Sequence, residues 1–147
     1  MGENCKYNGG NNNTKWVVDF AEDKNIIAVC PEELAGMSIP RVPSEQIGDK
    51  VFNKDGVDVS EYFINGSETG FNLANEFAKL TGEKLEGAIL KANSPSCGCG
   101  FVYDGSFSGK KIKGDGYFTK KLKEARIPVI TEEDSPDLFD TLKGELL

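Results

Sequence analysis

Apolar residues in this chain fall into short runs separated by polar, glycine-bearing stretches, and their spacing alternates between two periods. Residues 8–13, Asn8-Gly9-Gly10-Asn11-Asn12-Asn13, read as a loop. Thr14 follows as a helix N-cap, and Trp16, Val17 and Phe20 form the apolar stripe of a helix over about 15–23. Ile26–Cys30 is a short β-branched run, the signature of a buried strand, and Pro31 ends it. Pro40, Pro43 and Gly48-Asp49 predict an irregular stretch over 31–49. Val51–Val59 reads as a small hairpin turning at Lys54-Asp55-Gly56. Asp58-Val59-Ser60-Glu61 has capping-box spacing and opens a helix to about Leu80, which Gly66 and Gly70 are expected to weaken, bend or break. Gly87–Lys91 is a second strand. Phe101–Tyr103 and Phe107–Ser108 flank Asp104-Gly105-Ser106 as a second hairpin. A helix over Tyr117–Arg126, a third strand over Ile127–Thr131 and an amphipathic piece over Leu138–Leu146 complete the chain.

Strands alternating with helices predict an α/β fold: a three-layer, Rossmann-like domain with a short parallel sheet and small hairpins. Residues 1–133 form the expected single domain and 134–147 a peripheral tail. In such sheets ligands bind outside the carboxyl ends of the strands, which is where chemistry is to be sought.

The 147 residues suffice for one hydrophobic core without disulfide staples. No stretch approaches the roughly 18–20 apolar residues of a membrane span. The polar start, Met1 to Tyr7, has no apolar signal-peptide region, so a cytoplasmic chain with reduced thiols is expected. A formal charge of -7 speaks against stable nucleic-acid binding. Lys110, Lys111, Lys113, Lys120, Lys121, Lys123 and Arg126 nevertheless crowd one segment, either a solvated helix face or a site for an anionic ligand. The absence of histidine excludes a Ser–His–Asp triad, a Cys–His pair and a His-ligated zinc site.

Four cysteines remain: Cys5, Cys30, Cys97 and Cys99. Cys30 closes the first predicted strand. Asn93-Ser94-Pro95-Ser96-Cys97-Gly98-Cys99-Gly100 follows the second, and a parallel sheet brings both loops out on one edge. Glycines beside Cys97 let the backbone approach a bulky ligand. Iron–sulfur clusters need soft thiolates and open space, which such loops provide. The spacing matches no ferredoxin or zinc-finger pattern, and a small buried core residue is the ordinary alternative for each cysteine.

Cys-Pro-Glu-Glu-Leu-Ala-Gly at 30–36, Pro-Arg-Val-Pro-Ser-Glu at 40–45, Ser-Pro-Ser-Cys-Gly at 94–98, Tyr-Asp-Gly-Ser-Phe-Ser-Gly at 103–109 and Gly-Asp-Gly at 114–116 occur in that order. Together they resemble the thiouracil desulfurase family over about residues 2–133. The resemblance implies a 4Fe-4S cluster held by three cysteines, with an open iron that takes sulfur from a thiolated pyrimidine such as thiouracil or its nucleotide. It further implies that water replaces the sulfur without net redox change. By motif, Cys30 and Cys97 match two of the three ligands, and Glu32 and Ser94 become candidates for proton transfer and substrate positioning. Family members usually begin with an apolar strand running into Ser-x-Cys-Leu-x-Gly, and Met1-Gly2 aligns with the end of that motif. The strand and its cysteine are therefore expected to be missing here, leaving Cys5, Cys99 or a cysteine upstream of Met1 as the third ligand. The remaining motifs suit an anionic thionucleotide: Arg41 between prolines, Asp115 within Gly114–Gly116 ahead of a helix, and Lys113 just before it. Tyr7 and Phe107 are candidates for stacking on a base. A non-catalytic metal or iron–sulfur protein with a regulatory or sulfur-carrier role is the alternative. A structural zinc site would need all four cysteines, whereas the cluster tolerates loss of Cys99.

Overall fold

The computed structural model describes residues 2 and 4–146, so Met1, on which part of the N-terminal motif alignment falls, lies outside the described residues. In chain order the elements are α1 (Lys15–Ala21), α2 (Pro31–Leu34), β1 (Ser44–Ile47), β2 (Lys50–Asn53), α3 (Ser60–Leu80), β3 (Ala88–Leu90), β4 (Phe101–Tyr103), β5 (Lys111–Lys113), α4 (Tyr117–Glu124), β6 (Val129–Thr131) and α5 (Asp137–Leu146). The result is a Rossmann-like mixed α/β fold: β3 and β6 pair in parallel, while β1–β2 and β4–β5 form antiparallel hairpins.

The parallel pair is the centre. Its register sets Ala88 against Val129, Ile89 against Ile130 and Leu90 against Thr131. Val129 joins Phe118 and Leu122 of α4 in a buried cluster. Ile130 is fully buried and, by strand alternation, points to the opposite face. On that side Trp16 of α1 donates its indole N–H to the Glu132 carbonyl at 2.9 Å, and Phe20 stacks on Phe139 of α5 with centroids 5.7 Å apart. Phe139 thereby attaches the tail to α1. No helix among the described residues is long and apolar enough to cross a membrane.

Several expectations are corrected. α3 runs unbroken over 21 residues, and its glycines serve contact. A Cβ on Gly66 would lie 2.0 Å from the Pro31 carbonyl oxygen, and one on Gly70 would lie 2.9 Å from Val29 Cγ1. Both glycines form a notch that seats α2 and the segment before it. The expected turn at Lys54-Asp55-Gly56 is present, with Phe52 bridging Asp58 antiparallel, but β2 also pairs with β1, which lies in the stretch expected to be irregular and turns at Gly48-Asp49, because Glu45 and Gln46, both buried, disguise it as polar sequence. The partner of β4 is β5 rather than 107–108. Thr14 precedes α1 but directs its hydroxyl to the Asn12 carbonyl, making no cap bond.

Ile26–Cys30 is extended yet pairs with no strand. β3 pairs along one edge only. Between them lies a cavity of about 990 Å³, lined by Ile26–Cys30 on one side and Gly87–Lys91 on the other. Val17 and Phe20 of α1, Ala74 and Phe77 of α3, and Phe118 of α4 complete its walls.

Candidate functional site

Cys30 sits where the Ile26–Cys30 run ends and α2 begins, Pro31 taking the first helical position, where its missing N–H costs nothing. Cys97 lies in the loop after β3. That loop is fixed from several sides. Ser94 Oγ accepts from the Cys97 amide at 2.9 Å, and Gly98 N–H donates to the Ser94 carbonyl at 2.8 Å. Thr119 Oγ1 donates to the Cys97 carbonyl at 2.9 Å, and Gln46 Nε2 donates to the Pro95 carbonyl at 3.0 Å. The first amides of α4 are spent on the same loop: Tyr117 N–H bonds the Pro95 carbonyl and Phe118 N–H the Ser96 carbonyl. A Cβ on Gly116 would fall 2.3 Å from the Ser96 carbonyl carbon, so only glycine admits this contact. The helix terminus expected to hold an anion thus holds the cysteine loop.

The two loops converge with a third segment. The Cys5 thiol lies close enough to Cys30 to raise its pKa, and Cys30 and Glu32 both act electrostatically on Cys97. Burial pushes the Cys97 thiol up to about 12, against hydrogen bonds from the Ser96 and Ser94 hydroxyls. Burial likewise pushes Cys30 up to about 11, with Cys5 and Glu32 adding to it and the Glu33 amide opposing it. Both are therefore protonated thiols in the metal-free protein at neutral pH, and a bound cation would reverse that preference.

Cys99 stands apart. Its Sγ faces the Val129 carbonyl at 3.7 Å, in the neighbourhood of Lys123, Asp115 and Asp134. Asp115 accepts from the Gly100 amide at 2.7 Å and pairs with Lys123 at 3.0 Å, so its carboxylate is committed to holding this loop. Lys113 is exposed on β5. The Tyr7 side chain is exposed, and its carbonyl accepts from Arg41 N–H at 2.6 Å. The Phe107 amide bonds buried Glu45 at 3.1 Å.

Arg41 is almost wholly buried and forms an ion pair with Glu32. Its Nε donates to Glu32 Oε2 at 3.0 Å and Nη2 to the same oxygen; Nη2 also donates to the Cys5 carbonyl at 2.8 Å. Oε1 of Glu32 takes no hydrogen bond among the described residues. Sequence reasoning placed Arg41 at the site by motif but could not show that its donors face protein groups, because the pairing joins segments 36 residues apart.

Among the described residues, no three His, Cys, Asp or Glu side chains stand close enough to hold a single metal ion. The donor set nevertheless suits a cluster. Thiolates that ligate different irons of one cluster stand farther apart than the ligands of one ion, and the set is all sulfur, the donor that clusters require. A four-cysteine zinc site does not fit, because Cys99 lies on other contacts.

The model of the 2-thiouracil desulfurase family matches residues 1–134. The protein YbbK of Bacillus subtilis strain 168 is 37% identical over 148 residues, 94% of each chain. The solved structure of TudS, a 4Fe-4S-dependent thiouracil desulfidase, is 32% identical and superimposes with a TM-score of 0.78 over 99% of this chain and 93% of that one.

Proposed function

The chain belongs to the 2-thiouracil desulfurase family, and from that premise we propose that it is an iron–sulfur-dependent desulfurase acting on a thiolated pyrimidine, thiouracil or its nucleotide. The observation that carries this reading is the convergence of Cys30 and Cys97, from loops 67 positions apart, with Cys5 near enough to Cys30 to act on its thiol. The reaction replaces the thiocarbonyl sulfur by the oxygen of water. One C=S bond is lost and one C=O bond forms; both water protons leave with the sulfur as hydrogen sulfide, and no electrons are exchanged. A cluster bound by these thiols supplies a sulfur-seeking iron with an open position.

The chain's own residues do the rest. Cys30 and Cys97 are the ligands with the strongest support. Its influence on the Cys30 thiol favours Cys5 over Cys99 as the third among the residues present. Glu32 Oε1, left open while Arg41 occupies Oε2, accepts a proton from the attacking water. Ser94 Oγ, which accepts from the Cys97 amide, is fixed beside that thiol to position the pyrimidine.

Anaerobic reconstitution of wild-type, C30S, C97S and C99S protein, with iron and sulfide analysis and thiouracil turnover, tests the reading. Iron in wild type and C99S, and its loss in C30S and C97S, is expected. Loss of iron in C99S would overturn the ligand assignment. A fully loaded wild type that leaves thiouracil intact would turn the proposal into the non-catalytic alternative.

A further inference from the structure

The loop that carries Cys5 has few attachments. Within residues 4–12 its hydrogen bonds are internal: Lys6 N–H to the Gly10 carbonyl, Gly9 N–H to the Lys6 carbonyl, Gly10 N–H to Asn8 Oδ1, and Asn11 Nδ2 to Asn4 Oδ1. Asn13 N–H bonds Asn11 Oδ1 and Thr14 Oγ1 bonds the Asn12 carbonyl, which joins the loop to the adjacent helix start. Every other hydrogen bond from this loop to the rest of the fold, among the described residues, goes to Arg41. Its backbone N–H bonds the Tyr7 carbonyl at 2.6 Å, and its Nη2 bonds the Cys5 carbonyl at 2.8 Å. The same guanidinium holds Glu32, two residues beyond Cys30, while its Nη1 reaches the Ser38 carbonyl at 3.3 Å. Pro40 and Pro43 stiffen the backbone on either side of it.

From this geometry we infer that Arg41 is a positioning residue, a latch whose guanidinium fixes the Cys5 segment against the Cys30–Glu32 turn and so sets the spacing between their thiols. The planar fork suits the task. It presents several donors in fixed directions, and a lysine cannot span a carboxylate and a backbone carbonyl at once. The inference rests on the reading of Cys5 as a member of the thiol site, but its geometry is testable in metal-free protein.

The experiment is disulfide trapping on the full chain, wild type and R41M, with the diazene diamide as oxidant and peptide mapping as readout. Two thiols lose two protons and two electrons to the diazene, which becomes the hydrazine, and an S–S bond forms. Wild type should give Cys5–Cys30 as its main disulfide. R41M should form it at least about fivefold more slowly, and R41K should fall between. Alkylation of Cys99, whose thiol lies on the Val129 carbonyl, reports general loosening and should not change. R41M alone strands a buried carboxylate. The double variant R41M/E32M removes both charges and should show the same loss of trapping with the fold kept. Wild-type trapping rates in the double variant, or an equal acceleration of Cys99 alkylation, would overturn the latch. Iron uptake by wild type is measured alongside: its absence would count against the cluster reading while leaving the trapping result to decide the latch.

Discussion

At the scale of single residues, the site is a place where burial and charge oppose each other. Cys97 is buried and retains its proton up to about 12, and Cys30 up to about 11, both from an ordinary thiol value of 9.0. In the unfolded chain these thiols ionise first. Above 9 the unfolded state therefore binds fewer protons than the folded one, and stability falls as pH rises. The buried Cys97 takes away about 1.4 kcal/mol per pH unit between 9 and about 12, and the part-exposed Cys30 takes away less between 9 and about 11, because solvent screens it. Below 9 the contribution is complete and flat. Urea unfolding of metal-free protein at pH 7.5 and 10.5 should show this loss, and C97S should lose measurably less between the two. An equal loss in wild type and C97S would show that the Cys97 thiol is not held neutral by the fold.

At the scale of elements, α3 illustrates what sequence reveals and what it hides. Its periodic apolar positions were legible, as were β3, β6 and α4, because each buries one side against a neighbour. Gly66 and Gly70 read as weak points, since local propensity is all that a sequence displays at a glycine; the contacts that require them come from α2, a distant four-residue helix, and from Val29 just before it. β1 was hidden for the opposite reason. Its buried Glu45 is satisfied by the Gly105 and Phe107 amides, partners some 60 positions away. Of the site, the cysteine loops and Glu32 were legible as motifs, while the commitment of Asp115 to Lys123 and of Arg41 to Glu32 and Cys5 depends on tertiary contact. The notch makes a direct prediction. Gly66→Ala gains up to about 1 kcal/mol of helix propensity. It also drives a methyl group to 2.0 Å from the Pro31 oxygen, a backbone atom that cannot turn away. Overpacking of this kind costs about 1–3 kcal/mol, so G66A should be less stable and take up less iron, because α2 carries Glu32 and adjoins Cys30. G144A, at a position with open space, is the control and should be neutral or slightly stabilising. A G66A protein more stable than wild type would mean that α2 does not rest on this notch.

At the scale of the molecule, the parallel sheet is narrower than the helices around it allow. β6 is buried throughout, whereas β3 is only half-buried and Ile26, in the neighbouring extended run, is 45% exposed. A five-residue strand, with a rise of about 3.3 Å per residue, a strand spacing of about 4.8 Å and a layer depth of about 10 Å, fills roughly 800 Å³. The cavity between Ile26–Cys30 and Gly87–Lys91 holds about 990 Å³ and has apolar walls from α1, α3 and α4. Backbone groups on both bordering segments lack strand partners on that side. Gly2 and Cys5 line it as well, so a segment fused ahead of Met1 can reach it. A designed run of five Val, Ile and Ala residues placed there should enter the cavity. Each large side chain buried contributes about 1.5–3 kcal/mol, against about 1–2 kcal/mol per residue of backbone ordering, so only a run carrying large apolar side chains can offset its own ordering. The urea midpoint should rise, the m-value should grow with the surface newly buried, and the amides of 26–30 should gain hydrogen-exchange protection. A Ser/Asn run of equal length should change none of these. If the apolar and polar fusions behave alike, the cavity does not take a strand, and the exposure of Ile26–Cys30 is a settled feature of this fold.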